Sequence, residues 1–183
     1  MPTPRFRPQR SRDTEHRLTH DIDVWVASAS ADGAPYLVPL SFDWDGEALL
    51  VATPTDSPTG RNLATTRTAR LGLGHTRDVS MIDGEVEVLE IDALPQQRGD
   101  RFAARTGFDP RALATPYRWF RISPRRIQAW REVNELPDRE LMRDGRWLWQ
   151  REGTRQMRRE LQQLPSRDPM LHGPKRRRTR RTV

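Results

Sequence analysis

The sequence contains no cysteine. That excludes disulfides, thiolate metal sites and a cysteine nucleophile, and it fits a cytoplasmic chain. No run of about 18 apolar residues occurs, so no helical membrane span is expected. The opening "MPTPRFRPQR" lacks the apolar stretch of a secretory signal. Histidine is scarce, with four residues at 16, 20, 75 and 172. His16 and His20 have the spacing of a metal pair on one helix face, but no third ligand accompanies them. They read as part of a solvated polar segment. There is no HExxH, no Walker A loop and no GxGxxG opening a βαβ unit, which removes the commonest signatures of zinc peptidases and nucleotide-binding α/β enzymes.

What is present is a chain of 183 residues with 15 prolines and a formal net charge of +7. That length suits one domain with tails and allows a real core. Most of the charge is local. "KRRRTRR" at 175–181 carries six cations, so the rest is close to neutral. Such a run reads as a solvated tail, with weak nonspecific nucleic-acid contact as its alternative. The expected organisation is a flexible, irregular segment over 1–19, a folded domain over 20–150, and a charged extension over 151–183. A short helix near "RQMRRELQQL" is the most regular structure expected in that extension.

Within the domain, "DVWVASAS" alternates apolar with small or polar residues, the period of a half-buried strand. "ADGAP" marks a turn at Asp32-Gly33, and "YLVPLSFDW" is a second strand. Pro39 inside it lacks an N–H, which places it at an edge or a bulge. After Asp45-Gly46, "EALLVATP" completes an antiparallel meander. "ARLGLGHT" and "DVSMIDGEVEVLEI" are further strands. Gly72 and Gly74 in the first suggest close approach of another backbone or of a ligand. "LPQQRGDRFAARTG" reads as a helix closed by Gly107. "YRWFRIS" and "RRIQAWREV" read as strand segments broken at Ser123-Pro124, and a late hairpin turns at Asp144-Gly145. Many short antiparallel strands with few helices favour a small β-barrel, although the pattern alone leaves a sandwich open.

Between the third and fourth strands lies "SPTGRNLATT". Ser57 is a good N-cap and Pro58 suits the first helical position. A helix start also attracts anions through unpaired N–H groups. There Ser57 and Thr59 add hydroxyls, Gly60 lets an oxyanion approach the backbone, and Arg61 supplies a cation. On these residues alone an ordinary capped helix is the plainer reading. The six tryptophans, at 25, 44, 119, 130, 147 and 149, are by default packing residues, and the other reading is a wall for a planar ligand.

The ordered set strand, "DG.P", strand with a central Pro, "DG..L...T", "S.T.RNL" and "RL.L" resembles the flavin-binding split-barrel family of pyridoxamine-phosphate-oxidase-like proteins. The likeness continues through "DGEVEVLE" and "WFRISPRRIQAW", covering about residues 20 to 133. It is nearest to the actinobacterial branch that includes users of the deazaflavin coenzyme F-420. The resemblance implies a mainly β, antiparallel, Greek-key-like split barrel that binds FMN, or alternatively coenzyme F-420. It also implies hydride transfer to or from a small organic substrate. A non-catalytic flavin, haem or tetrapyrrole carrier is the alternative. Ser57, Thr59, Arg61 and Asn62 take the phosphate-binding places, with Gly60 among them. Val38, Pro39, Leu40 and Ser41 would lie against the ring, and Thr53 near its polar edge. Many relatives carry Lys where this chain has Thr59. The resemblance further implies a homodimer in which residues 77 to 84 or 117 to 131 of a second copy complete the site. Trp-rich late strands and the edge at Pro39 are the expected apolar surface for it.

Overall fold

The computed structural model describes residues 2–148, so the basic run and the "RQMRRELQQL" segment lie outside the described residues. The strands are β1 (Asp23–Ala29), β2 (Pro35–Trp44), β3 (Leu49–Pro54), β4 (Thr68–His75), β5 (Asp78–Glu90), β6 (Tyr117–Trp130), β7 (Glu140–Arg143) and β8 (Arg146–Trp147). The helices are α1 (Arg7–His20), α2 (Pro58–Thr66) and α3 (Gln96–Thr106). Neighbouring strands run in the order β3-β2-β1-β4-β5-β6, and β3 also pairs with β6. Six antiparallel strands thereby close into a barrel, and β7 and β8 extend it from β6. The barrel expectation holds.

The barrel is split on one side. β2 reaches β3 only through Phe42–Trp44 opposite Leu49–Val51, so among the described residues 35–41 of β2 pair with β1 alone. Pro39 lies in that open-edged stretch, where a residue without an N–H is tolerated. Alternation along β1 and β2 sends Val24, Val26 and Phe42 into the core, with Leu71, Ile82 and Ile122 from other strands. A second cluster of Leu50, Ala52, Phe102 and Trp119 forms where α3 covers the sheet. Phe102 meets Trp119 edge-on at 5.0 Å, and the indole N–H donates to the Ile91 carbonyl at 3.1 Å. Gly107 closes α3 in the left-handed conformation, as its position suggested.

Three expectations need correction. The first nineteen residues are not an irregular lead-in, because α1 occupies most of them. Its buried stripe is Arg10, Ser11, Thr14 and Leu18, which has helical spacing but contains one apolar residue, so no hydrophobic periodicity announces it. Second, β6 is not broken at Ser123-Pro124. It runs through as one strand, with Gly84 opposite Pro124 and Asp83 opposite Arg126, so that Arg125 is the extra residue of a bulge. The bulge accommodates the proline without ending the strand. Third, among the described residues the late strands do not supply the free apolar surface, and Trp149 lies outside the described residues. Trp119 is fully buried and Trp130 half-buried, whereas Trp25, Tyr36 and Leu37 of β1 and β2 are exposed.

Candidate functional site

The connection from β3 to α2 is fixed by its own small side chains. Ser57 caps α2: its hydroxyl accepts from the Gly60 N–H at 2.9 Å and donates to the Pro54 carbonyl at 2.8 Å. A hydroxyl has one proton, so in the 3.0 Å contact between Thr53 and Ser57 the Thr53 hydroxyl is the donor. The Arg61 N–H donates to the Ser57 carbonyl at 3.0 Å. Pro58 has no N–H. The helix start therefore keeps Thr59 N–H, at most, for a ligand in its first turn.

That changes the roles assigned to the loop residues. Ser57 is held as the cap and latch of the connection. Gly60 is buried and does not hold the backbone open for an oxyanion; a Cβ there would sit 2.4 Å from the Pro54 carbonyl oxygen and 3.0 Å from that of Thr55. Its glycine is required by the loop folding onto itself. Thr59 is only 2 % exposed, so a lysine at this position would have to lead its chain out of a packed site. Arg61 is exposed, and one guanidinium nitrogen donates to the Asp56 carbonyl, leaving the remaining donors directed from the loop surface. Asn62 is buried and its amide donates to the Ser28 hydroxyl at 3.2 Å, which ties α2 to β1. Ser28 was not anticipated: its strand pattern marked it only as a small polar residue.

The four residues expected on β2 are divided between two faces. Val38 and Leu40 share the side of Phe42, and Leu40 packs against the core cluster that holds Leu63 of α2. Pro39 and Ser41 face the opposite way. Pro39 pairs with Trp25, and the Ser41 hydroxyl donates to Asp23 at 2.7 Å. A ring on one face of β2 would meet the side chains of two of the four, and a ring at the open edge of β2 would meet their backbone. Val38 and Leu40 stand on the Phe42 side of β2 and Thr53 on the Val51 side of β3, and Phe42 and Val51 belong to one core cluster. His16 and His20 stack at 4.0 Å on α1, and no metal-binding cluster of histidine or carboxylate occurs among the described residues.

Residues 17–131 match the family model described as pyridoxamine 5'-phosphate oxidase. The chain belongs to this split-barrel family. No curated protein matches the sequence. Among solved structures, an F420 reductase shares 20 % identity over 62 % of this chain and 94 % of its own, with a TM-score of 0.51. A Listeria innocua protein named after pyridoxamine 5'-phosphate oxidase shares 14 % identity over 66 % of this chain and 98 % of its own, at a TM-score of 0.54. The protein Atu2129 of Agrobacterium tumefaciens, of unknown function, shares 17 % over 76 % of this chain and 64 % of its own, at 0.58. At these identities the structural likeness shows the fold.

Proposed function

We propose that the chain binds a flavin-type nucleotide at the split, FMN or alternatively the deazaflavin coenzyme F-420, and acts as a cytoplasmic oxidoreductase on a small organic substrate. The observation that supports this best is the β3–α2 connection: in a barrel of this family, it presents one exposed cation, Arg61, beside a capped helix start. The residues fit a single anionic group. Arg61 pairs with it, Thr59 N–H donates to it, and Ser57, Gly60 and Asn62 hold the connection in place. Val38 and Leu40 offer an apolar surface for the ring, and Thr53 lies where β3 leaves it. The cofactor supplies hydride transfer when bound, while the protein positions the ring and tunes its surroundings. No described side chain at this site stands out as a general acid or base.

Arg61→Ala is expected to weaken nucleotide binding by about tenfold or more, because a hydrogen bond to a charged group contributes roughly 1.5–3 kcal/mol. The melting temperature should stay nearly constant, since the side chain is exposed. Titration of FMN and of F-420 into wild type and variant gives the answer. Equal affinities would reduce the connection to an ordinary capped helix. Release of haem or another tetrapyrrole from purified protein would replace the flavin reading with the carrier one.

The same reading includes a homodimer. Leu37 is 59 % exposed and Trp25 51 %, with Pro35 and Pro39 also exposed on that face of β1 and β2. A second copy there is expected to bury about 2,000 Å² or more in total, the range of obligate dimers. Leu37→Arg should then shift light scattering from dimer to monomer at micromolar concentration. A wild-type monomer retaining its nucleotide would refute the assembly.

A further inference from the structure

Two arginines are buried beside the start of α1, and only one of them has counter-ions. Arg5 faces Glu135, Asp13 and Asp78. It holds Glu135 through the fork of its Nε–H and Nη2–H, at 3.1 and 2.9 Å. Arg10 is only 4 % exposed and forms no ion pair among the described residues. Its bonds go to main-chain carbonyls: from Nη1 to Ala129 at 3.3 Å and Glu135 at 3.0 Å, and from Nη2 to Asp138 at 3.0 Å. A guanidinium has five N–H donors, so the Nε–H and one Nη2–H are left over. Nε has no partner among the described residues, and the Nη2 end is the part-buried one. Burial pushes this guanidinium below its ordinary value; Glu135 and Asp138 oppose that, while Arg7 and Arg5 add to it. A buried charge without a counter-ion is costly, and the fold offers Arg10 only carbonyl dipoles.

Arg10 lines a cavity of about 610 Å³ between the chain before α1 and the turn after β6. Pro4, Phe6, Pro8 and Pro137 give the cavity an apolar wall. Phe6 is 80 % exposed, more than any other large apolar side chain among the described residues. The charges in the lining are Arg5, Arg7 and Arg10 against Glu135 and Asp138, an excess of one cation. Both carboxylates are engaged, Glu135 by Arg5 and Asp138 by Arg7 at 3.2 Å. A monoanion balances the excess, whereas a dianion would overshoot it beside two carboxylates. No lining residue belongs to β1, β2 or α2, so the cavity is separate from the dimer face and from the β3–α2 connection.

We propose that this cavity binds a small monocarboxylate with a compact apolar body, of the arylcarboxylic acid class. The carboxylate accepts from the Nε–H and Nη2–H that Arg10 leaves over, as Glu135 accepts from Arg5. The apolar body lies against Phe6 and the three prolines. A planar carboxylate matches the guanidinium fork in shape and charge, which a neutral amide does not.

The test uses the full chain with benzoate, its neutral counterpart benzamide and inorganic phosphate, followed by calorimetry. Benzoate should bind about tenfold more tightly than benzamide, the usual difference for a hydrogen bond to a charged group. It should also bind more tightly than phosphate. Its affinity should be unchanged in Arg61→Ala and in the presence of FMN, which separates this cavity from the nucleotide site. Phe6→Glu sets a carboxylate at the mouth from an exposed position, so it should keep the wild-type melting temperature and lose benzoate binding. Arg10→Gln should lose it too, with a lower melting temperature because Arg10 joins three carbonyls. If Arg10→Gln fails to fold, Phe6→Glu decides. Equal binding of benzoate and benzamide, tighter binding of phosphate, no binding at millimolar concentration, competition by FMN, or full benzoate binding by Phe6→Glu or Arg10→Gln would overturn the proposal.

Discussion

Arg5→Ala is expected to lower the unfolding free energy by about 3–5 kcal/mol, the usual effect of leaving one member of a buried ion pair alone. The Arg5 side chain is 7 % exposed and that of Glu135 is fully buried. The guanidinium donates to Glu135 at 3.1 and 2.9 Å, to Asp13 at 2.9 Å and to Asp78 at 2.9 Å. The Arg5 N–H adds a bond to the Glu135 carboxylate at 2.8 Å, and Arg131 N–H adds another at 2.8 Å. Four parts of the chain thus meet at one cation: the segment before α1, α1 itself, the start of β5 and the turn after β6. Burial pushes the Glu135 carboxyl up, but its bonds to Arg5 and Arg131 outweigh that and hold it at about 2 against an ordinary 4.5.

A depressed carboxyl stabilises the fold fully above its unfolded value and loses that contribution as the pH falls through its folded value. For Glu135 the window runs from about pH 4.5 down to about 2, and the contribution involved is about 3 kcal/mol. Urea unfolding of wild type should therefore weaken across that window, and Arg5→Ala should flatten the dependence there. A loss below about 1 kcal/mol at neutral pH would show that water replaces the guanidinium at little cost. Arg5→Ala with Glu135→Gln separates the two contributions, because the neutral amide removes the stranded charge and should recover part of the loss.

The same cluster shows why part of the fold was hidden in the sequence. Strand alternation in "DVWVASAS", the turns at Asp32-Gly33 and Asp144-Gly145, and the Ser57-Pro58 helix start are local rules, and the structure follows each of them. Helix α1 carries one local mark, a proline in its first turn, but no apolar stripe. Arg5 and Arg10 are buried through partners 130 and 119 residues away, at Glu135 and Ala129, and sequence spacing carries no trace of a contact that distant. The candidate site divides in the same way. Its cap was legible at Ser57, while the reason for Gly60 lies in the carbonyls of Pro54 and Thr55 folding back over it. The separation of the Val38 and Leu40 side chains from those of Pro39 and Ser41 follows from strand alternation alone, and that rule is local.

Gly60→Ala is the second substitution with a large expected effect, and it couples the fold to the proposed site. Alanine suits a helix better than glycine by about 1 kcal/mol, so in an open helix the change would stabilise. Here the new methyl would stand 2.4 Å from the Pro54 carbonyl oxygen and 3.1 Å from the Ser57 hydroxyl. Both neighbours are fixed, since Ser57 donates to that same carbonyl and caps the helix. The connection has to shift, and the strain of an overfilled site, about 1–3 kcal/mol, is joined by about 1 kcal/mol for a weakened cap. The net result should be a destabilisation of roughly 1–3 kcal/mol, with the sign opposite to helix propensity. Thr59 and Arg61 move with the connection, so nucleotide affinity should fall further than in Arg61→Ala, where the backbone stays in place. Denaturation together with FMN and F-420 titration of both variants tests the coupling. A Gly60→Ala protein as stable as wild type would mean that the connection yields easily and does not act as a rigid cradle. A destabilised one with unaltered nucleotide affinity would place the binding site elsewhere on the barrel.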